Sequence, residues 1–231
     1  MNIDRLDWDS TFFGLRIGRV TINTIEDGCL LASQYSTIKK DYDLLYVFAP
    51  HGFSFSASGA RLIDEKVTYT LHDNHTTPQD SNIILWDSQW GVTDDLRHLA
   101  LVSGEYSRFK LDDRLPNGSY ERLYSRWIEQ SVNHAIATDV FCYLMDGVPK
   151  GLVTLNHKNG IGDIGLVAVH EDYHYRGIGT TLMQHAIHYP KEKNIQKLSV
   201  VTQLANVPAC RLYEKNGFTI ESISDVWHWW L

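Results

Sequence analysis

The chain has 231 residues, 43% of them hydrophobic and 21% charged, enough to bury a substantial core as one large domain or two small ones. Its formal charge of -7 argues against nucleic acid as a partner, because phosphate backbones are held by clustered lysine and arginine, and no apolar run has the length needed to cross a bilayer. Cys29, Cys142 and Cys210 are too scattered for a disulfide framework, and "MNIDRLDWDS" has no signal-peptide character, so a cytoplasmic location is expected.

In chain order, "DLLYVFAP" (43–50) predicts a buried strand and "ARLIDEKVTYTL" (60–71) a second, making the first segment α/β. The polar stretch "HDNHTTPQDSN" (72–82) predicts a linker, which divides the chain into segments 1–75 and 82–231. After it, Thr93 caps a helix with Asp94 and Asp95 in its first turn. In "SYERLYSRWIEQSV", Tyr120, Leu123, Tyr124, Trp127 and Ile128 recur at helical spacing, a stripe that reads as core. Three strands then follow, parted by "DG" and "HKNG", both tight-turn sequences, to form an antiparallel meander. The order closes with the helix "TTLMQHAIHY", the strand "KLSVVTQ", a helix over 207–215 stopped by Asn216 and Gly217, and the strand "FTIESISDVWHWWL". Segments 59–71 and 217–231 both pass from a glycine into a strand of similar length, an internal echo that suggests the first segment is a degraded copy of the second one's C-terminal half.

Chemistry concentrates in two places. In "EDYHYRGIGTTLMQ" (171–184) small residues sit where a strand yields to a helix. A helix begins with unpaired N–H groups and the positive end of its dipole, so a loop without bulky side chains lets several amides converge on a phosphate. Arg176 would add a charge-assisted contact. Neither a Walker loop nor a three-glycine dinucleotide fingerprint is present. In "VTQLANVPACRLYEKNGF" (201–218), Asn206 caps a helix with Pro208 near its start, and Asn206, Cys210 and Tyr213 fall on one face.

A glycine pair behind the last strand of an antiparallel meander resembles the loop of the GNAT superfamily of N-acetyltransferases, framed here by His174, Tyr175, Arg176, Gly177, Ile178 and Gly179. His174 stands where the superfamily usually has glutamine or arginine. The resemblance implies a mixed central sheet flanked by helices, preceded by a smaller α/β domain. It implies acetyl-CoA as co-substrate, its pyrophosphate on residues 174–179 with Thr180, its pantetheine arm beside Leu166, Val167, Ala168 and Val169 and contacted by Asn206. Tyr213 would then be the general acid for the departing thiolate. No metal is expected: the histidines read as scattered and solvent-facing, without a zinc-ligand pattern.

The stretches "LDWDSTFFGLRIGRV", "SRF" and "LYSRWIEQSV", with the C-terminal motifs, further resemble the TDP-fucosamine acetyltransferase group of bacterial surface-polysaccharide pathways. That implies a nucleotide-sugar amine as acceptor, approaching Arg108 and Arg114 in the loop between the first two helices, with Phe12, Phe13 and Asp9 closing the site. A homodimer is expected by analogy. Asp163, His157 and Glu171 are near in sequence but none is singled out as the base.

Overall fold

A computed structural model describes residues 2–72, 82–158, 160–192 (backbone alone for 190–192) and 195–231. The greater part of the predicted linker, 73–81, and Asn159 of the second turn lie outside them. The first segment contributes β1 (Asp4–Arg5), α1 (Asp7–Phe13), β2 (Ile17–Thr21), α2 (Ile25–Ser33), α3 (Tyr35–Ile38), β3 (Leu44–Pro50) and β4 (Ala60–Leu71). The second contributes β5 (Ile83–Leu85), α4 (Asp94–Ser103), α5 (Arg108–Leu111), α6 (Ser119–Val132), β6 (Asp139–Met145), β7 (Val148–Lys158) and β8 (Ile161–Val169). It closes with α7 (Ile178–Glu192), β9 (Lys197–Gln203), α8 (Val207–Lys215) and β10 (Thr219–Trp230). No helix among the described residues is long and apolar enough to cross a membrane.

Local chemistry accounts for most of these boundaries. Thr93 accepts a hydrogen bond from Leu96 N at 3.3 Å to start α4, and Asn206 accepts one from Ala209 N at 3.2 Å to start α8. Asp146 and Gly147 both take positive φ, +51° and +77°, which suits the two-residue turn joining β6 to β7.

The strands form one sheet in the order β1-β2-β3-β10-β4-β9-β8-β7-β6-β5, so the two segments interleave: β10 lies between β3 and β4, and β4 between β10 and β9. The middle of the sheet is palindromic in register. Ser224 pairs with Pro50 as Lys66 pairs with Gln203, and Ile17 pairs with Leu44 as Ile161 pairs with Lys197. Between β10 and β4 the pairs Thr219–Thr70 and His228–Arg61 are equivalent, and so are the two register slips beside Glu221 and Ile63. The pseudo-twofold passes through the Ser224–Lys66 pair.

Helices cover both faces. Leu96 and Leu99 of α4 and Leu123 and Ile128 of α6 pack with Phe13 on Val140, Cys142 and Leu152. On the opposite face Leu182, Met183 and Ala186 of α7 pack on Val153, Leu155 and Val200, while Leu31 of α2 covers Val20, Val47 and Trp229. The tryptophan-rich end of β10 therefore seals the core at Trp229, which is 1% exposed.

Candidate active site

Parallel strands β8 and β9 are joined only from Ile161–Ile164 to Lys197–Val200. Just beyond, the register of β8 with β7 slips between the pairs Leu155–Ile164 and Val153–Val167, and Leu166 N donates to Thr154 Oγ1 at 2.8 Å. Such a bulge bends the strand. The two strands separate, the β9-facing edge of Leu166, Val167, Ala168 and Val169 is left without a ladder, and these residues with Thr202 and Gln203 line a cleft of about 1160 Å³. That exceeds the roughly 300–1,000 Å³ of a site for one small molecule and gives room for two reactants.

At the end of β8 the chain turns into α7. His174 does not face a ligand through a free ring: its Nε2 is 2.9 Å from Val169 O and ties the loop to the strand. Tyr175 and Gly177 have φ of +61° and +83°, and a Cβ on Gly177 would meet nothing within 4 Å, so glycine serves the backbone there rather than a close contact. Thr181 N donates to Gly177 O at 3.0 Å, the first helical bond. The amides of Ile178, Gly179 and Thr180 thus come before any intrahelical acceptor, line the cleft, and make an anion cradle at the N-terminus of a 15-residue helix. Arg176 contributes backbone to this loop, but its guanidinium lies over the Tyr173 ring at 4.9 Å and does not line the cleft.

From the other wall come Asn206 and Tyr213. Asn206 spends its side-chain oxygen on the α8 cap, which leaves its NH₂ group to donate to a ligand. Tyr213 is 4% exposed, and burial, reinforced by Cys210, raises its pKa, so the phenol stays protonated and able to donate. Cys210 turns away, its Sγ 3.6 Å from Gln203 O.

Beyond the wedge the cleft runs over β4 and the first segment. Arg108 lines it from the first turn of α5, a short helix where sequence reading expects a loop. Its guanidinium lies 4.4 Å from the Phe109 ring and 5.0 Å from the Tyr46 ring, and its buried Nε has no hydrogen-bond partner among the described residues. Sequence reading misses Asp64, which is 5% exposed on β4 and lines the same cleft. Burial pushes its carboxyl up to about 6, against the opposing pull of Arg108, Gln203 and Lys66, and its Oδ1 has no hydrogen bond among the described residues. Lys66, Arg19 and Phe48 were missed as well, and Trp8 and Asp9 complete this end. Burial raises the Asp9 carboxyl, with the Arg108 charge opposing.

Several expectations need correction. Tyr124 and Trp127 of the α6 stripe line the cleft as well as the core. Tyr124 reaches in because position 104 is glycine: a Cβ there would lie 2.2 Å from its ring. Phe12 and Phe13 do not line the cleft; Phe13 stacks on Phe109 at 5.8 Å and Phe12 on Trp8 at 5.0 Å, one helical turn behind the Trp8 and Asp9 that do. Arg114 is also outside, its Nε 3.2 Å from Asp112 Oδ1 and its Nη1 donating to Gly59 O at 3.0 Å. Asp163 is taken by the Ser199 hydroxyl, His157 sits 3.6 Å from Asp139, and Glu171 is 2.9 Å from His98, all away from the cleft lining. Not every histidine faces solvent: His228 is fully buried, its Nδ1 2.6 Å from Asp112 Oδ2. Two groups, His98, His170, Glu171 and His51, Glu65, Asp225, bring three potential metal-ligand atoms within 4.8 Å of one another, and neither lines the cleft.

The pseudo-twofold counterpart of the wedge is closed. β2 and β3 stay paired from Ile17–Leu44 to Thr21–Phe48, and Ile22 N continues the ladder to Phe48 O at 2.9 Å. The N-terminus of α2 carries Glu26 and is filled by its own capping box, in which Asp27 accepts from Asn23 N at 2.9 Å and Thr24 N at 3.0 Å.

Residues 105–218 match the acetyltransferase (GNAT) family model. The chain is 28% identical over 233 residues to dTDP-fucosamine acetyltransferase of Escherichia coli O6:H1, covering 96% of this chain and 95% of that one. In fold it is similar to a GCN5-related N-acetyltransferase from Sphaerobacter thermophilus, with a TM-score of 0.60 at 14% identity over 98% of this chain and 75% of the other. It is also similar to a tandem GNAT protein from the clavulanic acid biosynthesis pathway, with a TM-score of 0.53 at 15% identity over 87% and 69%.

Proposed function

Taking the acetyltransferase (GNAT) domain over residues 105–218 as premise, we propose that the protein transfers an acetyl group directly from acetyl-CoA to the amine of a nucleotide-linked amino sugar, a TDP-4-amino-dideoxyhexose. The observation that carries this reading is the wedge: an unladdered edge on β8, an anion cradle at α7 and a protonated Tyr213 all line one cleft, which continues to a buried carboxylate and three cations. Full-length similarity to dTDP-fucosamine acetyltransferase supports the choice of acceptor.

Bound there, acetyl-CoA supplies an activated acetyl thioester. In this reading the amides at the N-terminus of α7 hold its pyrophosphate, and Leu166–Val169 pair with the pantetheine amides as a neighbouring strand would. The β8 amides also offer a donor to the carbonyl oxygen as charge develops on it. Asp64 takes the proton from the attacking amine, for which a carboxyl tuned to about 6 is ionised at neutral pH. Tyr213 gives its proton to the departing sulfur and excludes water from that end of the cleft.

The acceptor is tested by supplying acetyl-CoA with TDP-4-amino-4,6-dideoxygalactose, UDP-amino sugars and peptides while thiol release is followed. Release with the TDP sugar is the expected result, and release with peptides alone removes the sugar reading. Because β2 and β3 stay zipped and α2 is capped by Asp27, calorimetric titration is expected to find one acetyl-CoA per chain. A second equivalent site would refute the closed reading of the first segment.

A further inference from the structure

The acceptor end of the cleft orders its chemistry across the sheet. Cross-strand register aligns Asp64 on β4 with Val226 on β10, and Val226 with Phe48 on β3. At about 4.8 Å per strand, Phe48 lies about 10 Å from Asp64, and β2, which carries Arg19, about 14 Å. Moving away from the wedge, the lining therefore passes from Asp64 and Lys66 on β4 to Phe48 on β3, with Arg108 over Tyr46, and then to Arg19 on β2 and Trp8, a residue 47% exposed whose ring stacks on Phe12.

Among the described residues none of Arg19, Lys66 and Arg108 is in an ion pair, although the protein carries a charge of -7. They come from three separate elements. Arg19 lies over the Phe48 ring at 5.2 Å, and Lys66 is close enough to feel the charges of Arg19 and Arg108. Asp64 attracts Lys66 and Arg108 and Asp9 attracts Arg108, but neither closes an ion pair with them, so three like charges converge with room for an anion that neutralises the excess. Asp64, Asp9 and Glu105 are the acids lining the cleft, and burial raises the carboxyls of the first two, that of Asp64 to about 6.

We propose that Arg19, Lys66 and Arg108 form the clamp for the diphosphate of a nucleoside-diphosphate-linked acceptor, with its sugar amine at Asp64 and its base on Trp8. The span fits: a hexose separates amine from diphosphate by about one to two strand spacings, and the nucleoside occupies the next. This rests on the sugar-nucleotide reading above but gives roles to Arg19, Lys66 and Trp8, to none of which the sequence reading assigns one.

The test uses TDP and thymidine as probes, titrated by calorimetry into protein saturated with coenzyme A so that the donor site is filled. Wild type is expected to bind TDP at least about tenfold more tightly than thymidine, with an affinity that falls as salt rises. Arg19→Gln and Lys66→Gln are each expected to weaken TDP by about tenfold to a hundredfold while coenzyme A binding is unchanged. The salt dependence of wild type keeps the clamp testable should either variant fail to fold. If wild type binds TDP but both folded variants bind it equally well, or salt has no effect, the clamp is wrong and the sugar reading survives. If wild type binds no TDP, both fall.

Discussion

Tyr213→Phe is expected to lower kcat by about a hundredfold to a thousandfold with little change in the KM for acetyl-CoA, the effect of removing one positioned proton donor. The ring itself is held by packing, with centroids 5.7 Å from Tyr69 and 6.0 Å from Phe218, so phenylalanine retains the volume and the contacts. Loss of affinity equal to the loss of turnover would make the tyrosine a binding group and overturn its role as acid. Since burial raises its pKa above the ordinary 10.0, wild-type activity should show no falling limb from this group up to about pH 10.

Asp64→Asn separates function from stability. As general base it must be ionised, so kcat/KM should rise with pH through a limb near 6 in wild type. The variant should lose that limb and about a hundredfold or more of the rate. Stability should move the other way. The folded chain holds the Asp64 proton more tightly than the unfolded one, at about 6 against 3.8, so the associated stability is complete below 3.8 and is lost as pH rises to about 6. Above that window the ionised, buried carboxylate costs on the order of 3 kcal/mol. Asparagine removes the cost, and its Tm at pH 7.5 should exceed that of wild type by about 5 °C, shrinking toward zero at pH 4. A variant less stable than wild type at both pH values would mean that Asp64 is a structural anchor rather than a strained functional group.

Local signals carried far in the second segment. Thr93, Asn206 and the glycine after α8 mark helix ends by hydrogen-bonding rules that act within a few residues, and the tight turn at Asp146–Gly147 needs positive φ. The side of the cleft proposed to take the donor was legible for the same reason: a glycine turn into a helix and a capped helix are short-range objects. Gly177, Asn206 and Tyr213 line one cleft, while Cys210, which the spacing puts on the same face as Asn206 and Tyr213, does not.

The acceptor side was not legible, because it is made of strand neighbours far apart in the chain. In "ARLIDEKVTYTL" Asp64 and Lys66 are charges within a predicted strand that no motif singles out, and no element is predicted around Arg19. They become the floor of a cleft only once β10 inserts between β3 and β4 and α5 and α6 close over them. Phe12 and Phe13 illustrate the converse: a distinctive motif marks the right helix, but one turn along its axis gives the cleft to Trp8 and Asp9, while Phe13 enters the core and Phe12 packs against it.

What this sequence determined by itself was the helices and strands of its second segment apart from β5 and α5, and the glycine turn ahead of α7, through caps, turns and periodicity that each act over a few residues. The tertiary structure alone decided that β4 and β10 lie side by side about a pseudo-twofold, which of the two equivalent strand pairs opens, and which charges lose their water. Desolvation makes the difference, since an aspartate on a free strand is an ordinary surface acid, and the same aspartate under Tyr124 and Arg108 is poised near neutrality.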